Sequence, residues 1–212
     1  MKINKIAIVG SGHIGGNLGI MLAKAGYEIF FSSRHPEHLK DLVTEAGPKA
    51  RAGKVEDAVA FGDLVILSVP FKALREISLE VKQALKGKVV IDTSNPYPER
   101  DGVMAEEARN DPDGMGVLVS RLLPGARIVR GFNSVHFEEL RKTVNSNGET
   151  VGLPLASDDQ EGLEAAVELA RRVGLDPVVV GGLKKAKLFD VGAPVYATGD
   201  SAREIKRKLH LQ

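Results

Sequence analysis

No cysteine occurs among the 212 residues, which excludes a disulfide framework, a thiolate nucleophile and any cysteine-ligated zinc or iron–sulfur centre. Tryptophan is also missing, and aromatic residues make up only 5%. No sign of charge dominates, since 29 Lys+Arg stand against 28 Asp+Glu. A chain so balanced casts no strong field, which argues against nucleic acid or an anionic membrane as its main partner. No apolar run approaches the roughly 20 residues that a spanning helix requires. The opening Met1-Lys2-Ile3-Asn4-Lys5 is basic and then apolar, as a leader is. A strand followed by an amphipathic helix explains it better, and Lys24 interrupts any leader core. A cytoplasmic protein is expected.

Glycine, by contrast, is plentiful at 23 residues, and many of them stand where apolar runs meet helical patterns. The length suits one domain and allows roughly 70% of the unfolded chain's surface to be buried. Ile6-Ala7-Ile8-Val9, Ile29-Phe30-Phe31, Leu64–Val69, Val89-Val90-Ile91, Ile128-Val129-Arg130, Val151–Ala156 and Val178-Val179-Val180 read as strands, with a weaker one at 49–52. Between them run helical stripes: Ile14, Leu18, Met21 and Leu22; Leu39, Leu42 and Val43; Leu74, Ile77, Val81 and Leu85; Leu163, Val167 and Ala170. Residues 92–114 form a long Pro- and Gly-containing excursion with an acidic helical piece at Met104–Arg109. Ser201-Ala202-Arg203-Glu204 is a capping-box pattern for a short terminal helix. This alternation predicts an α/β fold: a Rossmann-type, doubly wound, mainly parallel sheet with a short C-terminal helical extension. Its expected units are 1–182, a dinucleotide-binding domain, and 183–212, an extension covering one face of the site.

Gly10-Ser11-Gly12-His13-Ile14-Gly15 is a G-x-G-x-x-G that follows a strand and opens a helix, the context in which that pattern binds a dinucleotide. The first glycine allows the tight turn, the second lets a pyrophosphate approach the backbone, and the third lets helix and strand pack closely. The residues after the second strand choose between NAD and NADP. They are Ser32-Ser33-Arg34-His35, with no acid before Glu37. Ser33 and Arg34 suit a 2′-phosphate, with His35 and His38 nearby, so NADP is expected. Val69-Pro70-Phe71 ends the fourth strand; Val69 and Phe71 can face adenosine, or Phe71 can be plain core. Asn95 after the fifth strand can bond a nicotinamide carboxamide or simply start an Asn-Pro turn. Asn133 holds the same position after the sixth strand.

Several familiar signatures are absent. Tyr27, Tyr97 and Tyr196 are followed four residues later by Phe31, Asp101 and Asp200, never by the lysine of short-chain dehydrogenases. There is no Walker-type phosphate loop, and the five histidines (13, 35, 38, 136 and 210) offer no H-E-x-x-H spacing. No metal ligand set and no catalytic side chain is expected. His136 is the nearest candidate proton donor, and a surface position at a helix start explains it better.

Gly10–Arg34, Val69-Pro70-Phe71, Asp92–Pro98, Gly131–Ser134 and the compact ending together resemble the NADP-dependent reductases of the deazaflavin coenzyme F(420). The same set is similar to the cytosolic domain of six-transmembrane metalloreductases. The resemblance implies a Rossmann fold with NADP held by the glycine loop, Ser33-Arg34, Val69 and Asn95. It also implies hydride exchange with a flavin-like or deazaflavin ring, in a homodimer. The full cofactor-binding set expected is Gly10, Ser11, Gly12, His13, Ile14, Ser33, Arg34, His38, Val69, Pro70, Asn95 and Asn133. NADPH is then the cofactor and F(420) or a flavin the co-substrate. An NADP(H)-sensing module without turnover is the alternative.

Overall fold

The structure, a computed structural model, describes residues 2–211; Met1 and Gln212 lie outside the described residues. Eight strands form one sheet in the order β3-β2-β1-β4-β5-β6-β7-β8. They are β1 Lys5–Val9, β2 Glu28–Ser32, β3 Ala50–Gly53, β4 Leu64–Leu67, β5 Val89–Asp92, β6 Arg127–Arg130, β7 Gly152–Ser157 and β8 Asp176–Gly181. The first six are mutually parallel. β7 runs antiparallel to β6 over only two residue pairs, and β8 runs parallel to β7. The expected Rossmann-type, mainly parallel sheet is therefore present, with its last two strands reversed. The connection between β6 and β7 carries the four-residue helix Phe137–Leu140 and brings the chain back antiparallel to β6.

Helices cover both faces. They are α1 His13–Lys24, α2 Lys40–Ala46, α3 Val55–Phe61, α4 Phe71–Val81, α5 Pro98–Asp101, α6 Val103–Arg109, α7 Met115–Leu122, α8 Phe137–Leu140, α9 Gln160–Arg172 and α10 Ala202–Lys208. Strand residues alternate between two cores. Ile6, Ile8, Leu64 and Ile66 pack with Leu18, Leu22 and Leu169 on one face. Ala7, Val9, Val65 and Leu67 pack with Leu74, Val81 and Val119 on the other. Such two-sided burial is why the central strands read as unbroken apolar runs. A third cluster, with Val178, Phe189, Val195 and Ile205, seats the segment from Leu183 to Leu211 against β7 and β8.

Local signals explain several ends. The Ser201–Glu204 capping box at the start of α10 is formed in full. Asp159 caps α9 by accepting from Gly162 N at 2.6 Å, and Arg127 of β6 clamps the same carboxylate at 2.7 and 2.9 Å. Three boundaries differ from the sequence reading. The fourth strand stops at Leu67, because Ser68-Val69-Pro70 already turns into α4. The third helix stripe ends at Val81, short of Leu85. The excursion 92–114 holds two short helices rather than one, and α7 follows it where no helix is legible in the sequence.

Candidate active site

Strand order 3-2-1-4-5-6 places a reversal between β1 and β4, and ligands in such sheets lie outside the carboxyl ends of the strands at that point. A cavity of about 500 Å³ lies there, running from Gly12 and Ile14 past Val69 and Pro70 to Asn95, Asn133 and Tyr196. It joins the turns after β1, β4, β5 and β6 on one edge.

The glycine loop is shaped for close approach. Gly10 has φ +93°, a left-handed conformation that favours glycine. A side chain at Gly10 would strike the Ser68 backbone, and one at Gly15 would strike the Gly10 carbonyl. Gly12 is different: nothing lies within 4 Å of the place its Cβ would occupy, and its φ of −78° is ordinary. Space is thus kept clear against the start of α1, whose N-terminus has no side-chain cap. Uncapped N–H groups and the helix dipole together attract an anion. Ser11 Oγ donates to Ser32 O at 3.1 Å and ties the loop to the end of β2.

Beyond β2, Ser33 Oγ accepts from His35 N at 3.1 Å. Arg34 is exposed and has no ion pair or hydrogen bond among the described residues. The His35 and His38 rings stack at 5.4 Å. Both face the exposed Glu37 carboxylate, at 3.3 and 4.0 Å. Glu37's own backbone N–H and these imidazoles hold its carboxyl below the usual range. Arg34 is left as the uncommitted cation of the turn.

Val69 is buried, Pro70 is exposed as the N-cap of α4, and Phe71 is 5% exposed in the core of that face. His13 of the loop stacks on Phe137 with ring centres 4.8 Å apart, and His136 packs against the same ring at 4.6 Å.

Under the β5 and β6 ends lies a fully buried cation. Arg130 is 0% exposed. It donates to Asp92 Oδ2 at 2.6 Å, to Asp190 Oδ1 at 2.9 Å, to Ser94 O at 2.6 Å and to Asn95 Oδ1 at 3.0 Å. Burial works against its charge, yet Asp190 and Asp92 outweigh that and hold the guanidinium above its usual range. Asn95 Nδ2 donates to Asn133 O at 2.9 Å and to Tyr196 Oη at 3.1 Å. The Asn95 amide is thus engaged at both ends by the protein. Asn133 is 4% exposed, and its Nδ2 donates to Phe189 O at 3.3 Å. Its Oδ1 is buried with no partner among the described residues, and the residue lines the cavity. An unpaired buried carbonyl is costly unless a ligand donates to it. Phe132, just before it, has φ +58°, a left-handed geometry that bulky residues adopt only under constraint.

The cleared space at Gly12, the uncapped α1 and the unpaired Asn133 acceptor fit a dinucleotide with a carboxamide at one end. The model of the family "NADP oxidoreductase coenzyme F(420)-dependent" matches residues 5–96. The likeness continues beyond it. The chain is 28% identical over 206 residues to an F(420)-dependent NADP reductase of Methanocaldococcus jannaschii, covering 90% of each chain. It is 23% identical over 182 residues to the mouse metalloreductase STEAP2, covering 86% of this chain and 34% of that protein. Among solved structures, a hypothetical protein of Sinorhizobium meliloti, SMa0349, superposes with a TM-score of 0.76 at 27% identity, covering 92% and 93% of the two chains.

The cavity also holds what the sequence reading missed. Tyr97 and Tyr196 meet there through their hydroxyl groups. They stand 99 residues apart, so no local motif records them. The one usable signal is that Tyr97 falls in the long excursion after the fifth strand and Tyr196 in the extension expected to cover one face of the site. His136 is exposed near Glu138 on the rim. No cluster of potential metal ligands occurs among the described residues, and no helix there is long and apolar enough to cross a membrane.

Proposed function

We propose that this chain is an NADP(H)-dependent oxidoreductase that transfers hydride between NADPH and a deazaflavin of the F(420) type or a related flavin. The observation that carries the reading is the single cavity joining four parallel strand ends, open at Gly12 and continuing past Asn133 to the tyrosines. The F(420)-dependent relatives support the acceptor.

When bound, NADPH supplies a hydride. Gly10, Ser11, Gly12, His13 and Ile14 would hold its pyrophosphate against the start of α1. Ser33, Arg34 and His38 would receive the 2′-phosphate, while Val69 and Pro70 would flank the dinucleotide. Asn133 Oδ1 would accept from the carboxamide, with Asn95 fixing the backbone beside it. The protein's work is then to hold two rings at near-attack distance, about 3–3.5 Å between reacting atoms. Residues 1–182 would form the NADP-binding unit and 183–212 the extension over the acceptor. A cytoplasmic homodimer accompanies this reading, checked by analytical ultracentrifugation.

The deciding experiment is stopped-flow oxidation of NADPH with F(420), flavin mononucleotide and a small carbonyl as acceptors. Rapid reduction of F(420) or the flavin supports the proposal. Turnover of the small carbonyl alone overturns it.

A further inference from the structure

Two hydroxyl groups face one another in the cavity beside the expected nicotinamide position. Tyr97 is held from both sides. Its N–H donates to Asp101 at 3.1 Å, and the Arg100 guanidinium lies 5.1 Å over its ring. Tyr196 arrives from the opposite direction, in the tail, followed by Ala197 at φ +52°. Ala197 N donates to Ser134 O at 2.9 Å and locks that turn. Asn95 Nδ2 donates to Tyr196 Oη. Arg130 dictates the donation, because a guanidinium only donates and so claims the Asn95 oxygen.

Hydrogens can then be counted. Two phenols carry two hydroxyl protons, and their mutual bond uses one. Asn95 brings its own proton and takes none. Neither hydroxyl has a further acceptor among the described residues. Whichever phenol donates to the other, one O–H is left over, on a pair that lines the cavity.

We propose that Tyr97 and Tyr196 act together as the proton donor to the hydride acceptor, a role that rests on the oxidoreductase reading above. Reduction by hydride alone leaves the acceptor negatively charged on a conjugated nitrogen or oxygen. In the complete step the acceptor gains two electrons and a new bond to hydrogen, C–H in a deazaflavin or a carbonyl and N–H in a flavin, and the spare phenolic proton passes to the nitrogen or oxygen that carries the charge. The phenolate so formed keeps the hydrogen bond from the other tyrosine, joined by the one from Asn95 where the phenolate is Tyr196, and is reprotonated from solvent. NADPH is oxidised and one proton is consumed, so charge and electrons balance. Burial, and then the neighbouring Tyr97, raise Tyr196 above the usual phenol range, which keeps the resting donor neutral. The pair is not tied to one acceptor, since any substrate that develops charge on oxygen or nitrogen can use it.

The test compares wild type, Tyr97→Phe, Tyr196→Phe and the double variant, with F(420), flavin mononucleotide and glyoxylate as acceptors. Each single variant keeps one hydroxyl and one proton, so its hydride-transfer rate falls by no more than about threefold, while the double variant falls roughly 100-fold. Without NADPH present, affinity for oxidised F(420), read by fluorescence, drops about tenfold in the double variant. Affinity for NADP+, read by calorimetry, and thermal stability stay close to wild type. A double variant that keeps the wild-type rate, or that loses NADP+ affinity in step with rate, overturns the donor role alone. A wild type that reduces only glyoxylate, with the double variant impaired, overturns the ring acceptor and leaves the donor role standing. A wild type that reduces none of the three overturns both.

Discussion

Arg130 Nη2 donates to Asn95 Oδ1 at 3.0 Å, and this bond decides which way the Asn95 amide faces. The amide nitrogen is thereby turned toward Asn133 O and Tyr196 Oη. A buried cation beneath the sheet edge so orients the polar groups of the cavity. Arg130→Met removes the centre of this arrangement and leaves Asp92 and Asp190 without their counter-ion. Breaking such a buried group costs about 3–5 kcal/mol, and urea denaturation should record a loss of that size. An unchanged midpoint would mean that water replaces the guanidinium.

The cofactor preference should reside in Arg34. With no protein partner of its own, it is available to a 2′-phosphate, and a charge-assisted hydrogen bond of that kind contributes about 1.5–3 kcal/mol. Arg34→Asp should weaken NADPH by about 10- to 100-fold and leave NADH nearly untouched. Equal affinities of the wild type for both cofactors, measured by calorimetry, would refute the assignment.

Gly12→Val offers an unusually clean probe. No protein atom lies within 4 Å of the added Cβ and the backbone is in an allowed region, so the branched group fills only the space kept for a ligand. The variant should fold with a thermal midpoint near wild type and lose NADP binding. Normal binding would show that the loop is a structural turn and nothing more. Gly10 and Gly15 cannot be used this way, because a side chain at either meets backbone.

Stability should depend on Asp159 in a pH-dependent manner. Its hydrogen bonds with Arg127, opposed by some burial and helped by Gly162 N, hold the carboxyl below its usual range. A depressed folded value means that the stabilisation is complete above the unfolded value, about 3.9, and disappears as pH falls through the lower folded one. Asp159→Ala should therefore cost about 1–2 kcal/mol at pH 7, as N-cap losses do. In acid denaturation the gap between variant and wild type should close below about pH 4.

The parts of the fold that depend on nearest neighbours were readable in the chain. β4 announces itself through Leu64-Val65-Ile66-Leu67, an apolar run that only two-sided burial explains. The turn at Gly10 and the capping box at Ser201 are equally local. α7 is not legible, because Pro112 and Gly114 mark a loop and its eight residues are too few for a stripe to stand out. Nor is the direction of β7, since its two residue pairs with β6 leave no distinguishing pattern in its own residues. The candidate site divides in the same way. Its phosphate end is one contiguous stretch, Gly10 to Gly15, whereas its other end needs Tyr97, Arg130 and Tyr196, which only the finished topology brings together.

The pairing of Arg130 with Asp190 also has a consequence for the order of synthesis. The glycine loop leaves the ribosome before Arg130 and Asp190, so the half of the sheet that carries it can assemble early. Of its two carboxylate partners Arg130 then has only Asp92 until residue 190 emerges, and Asn95 lacks the Tyr196 hydroxyl until residue 196 does. A message cut short between these points yields a polypeptide with an intact nucleotide loop but with Arg130 Nε and Nη2 deprived of the Asp190 acceptor they use in the finished fold. Such a product should be removed by cellular proteases, so that only full-length translation leaves a lasting protein.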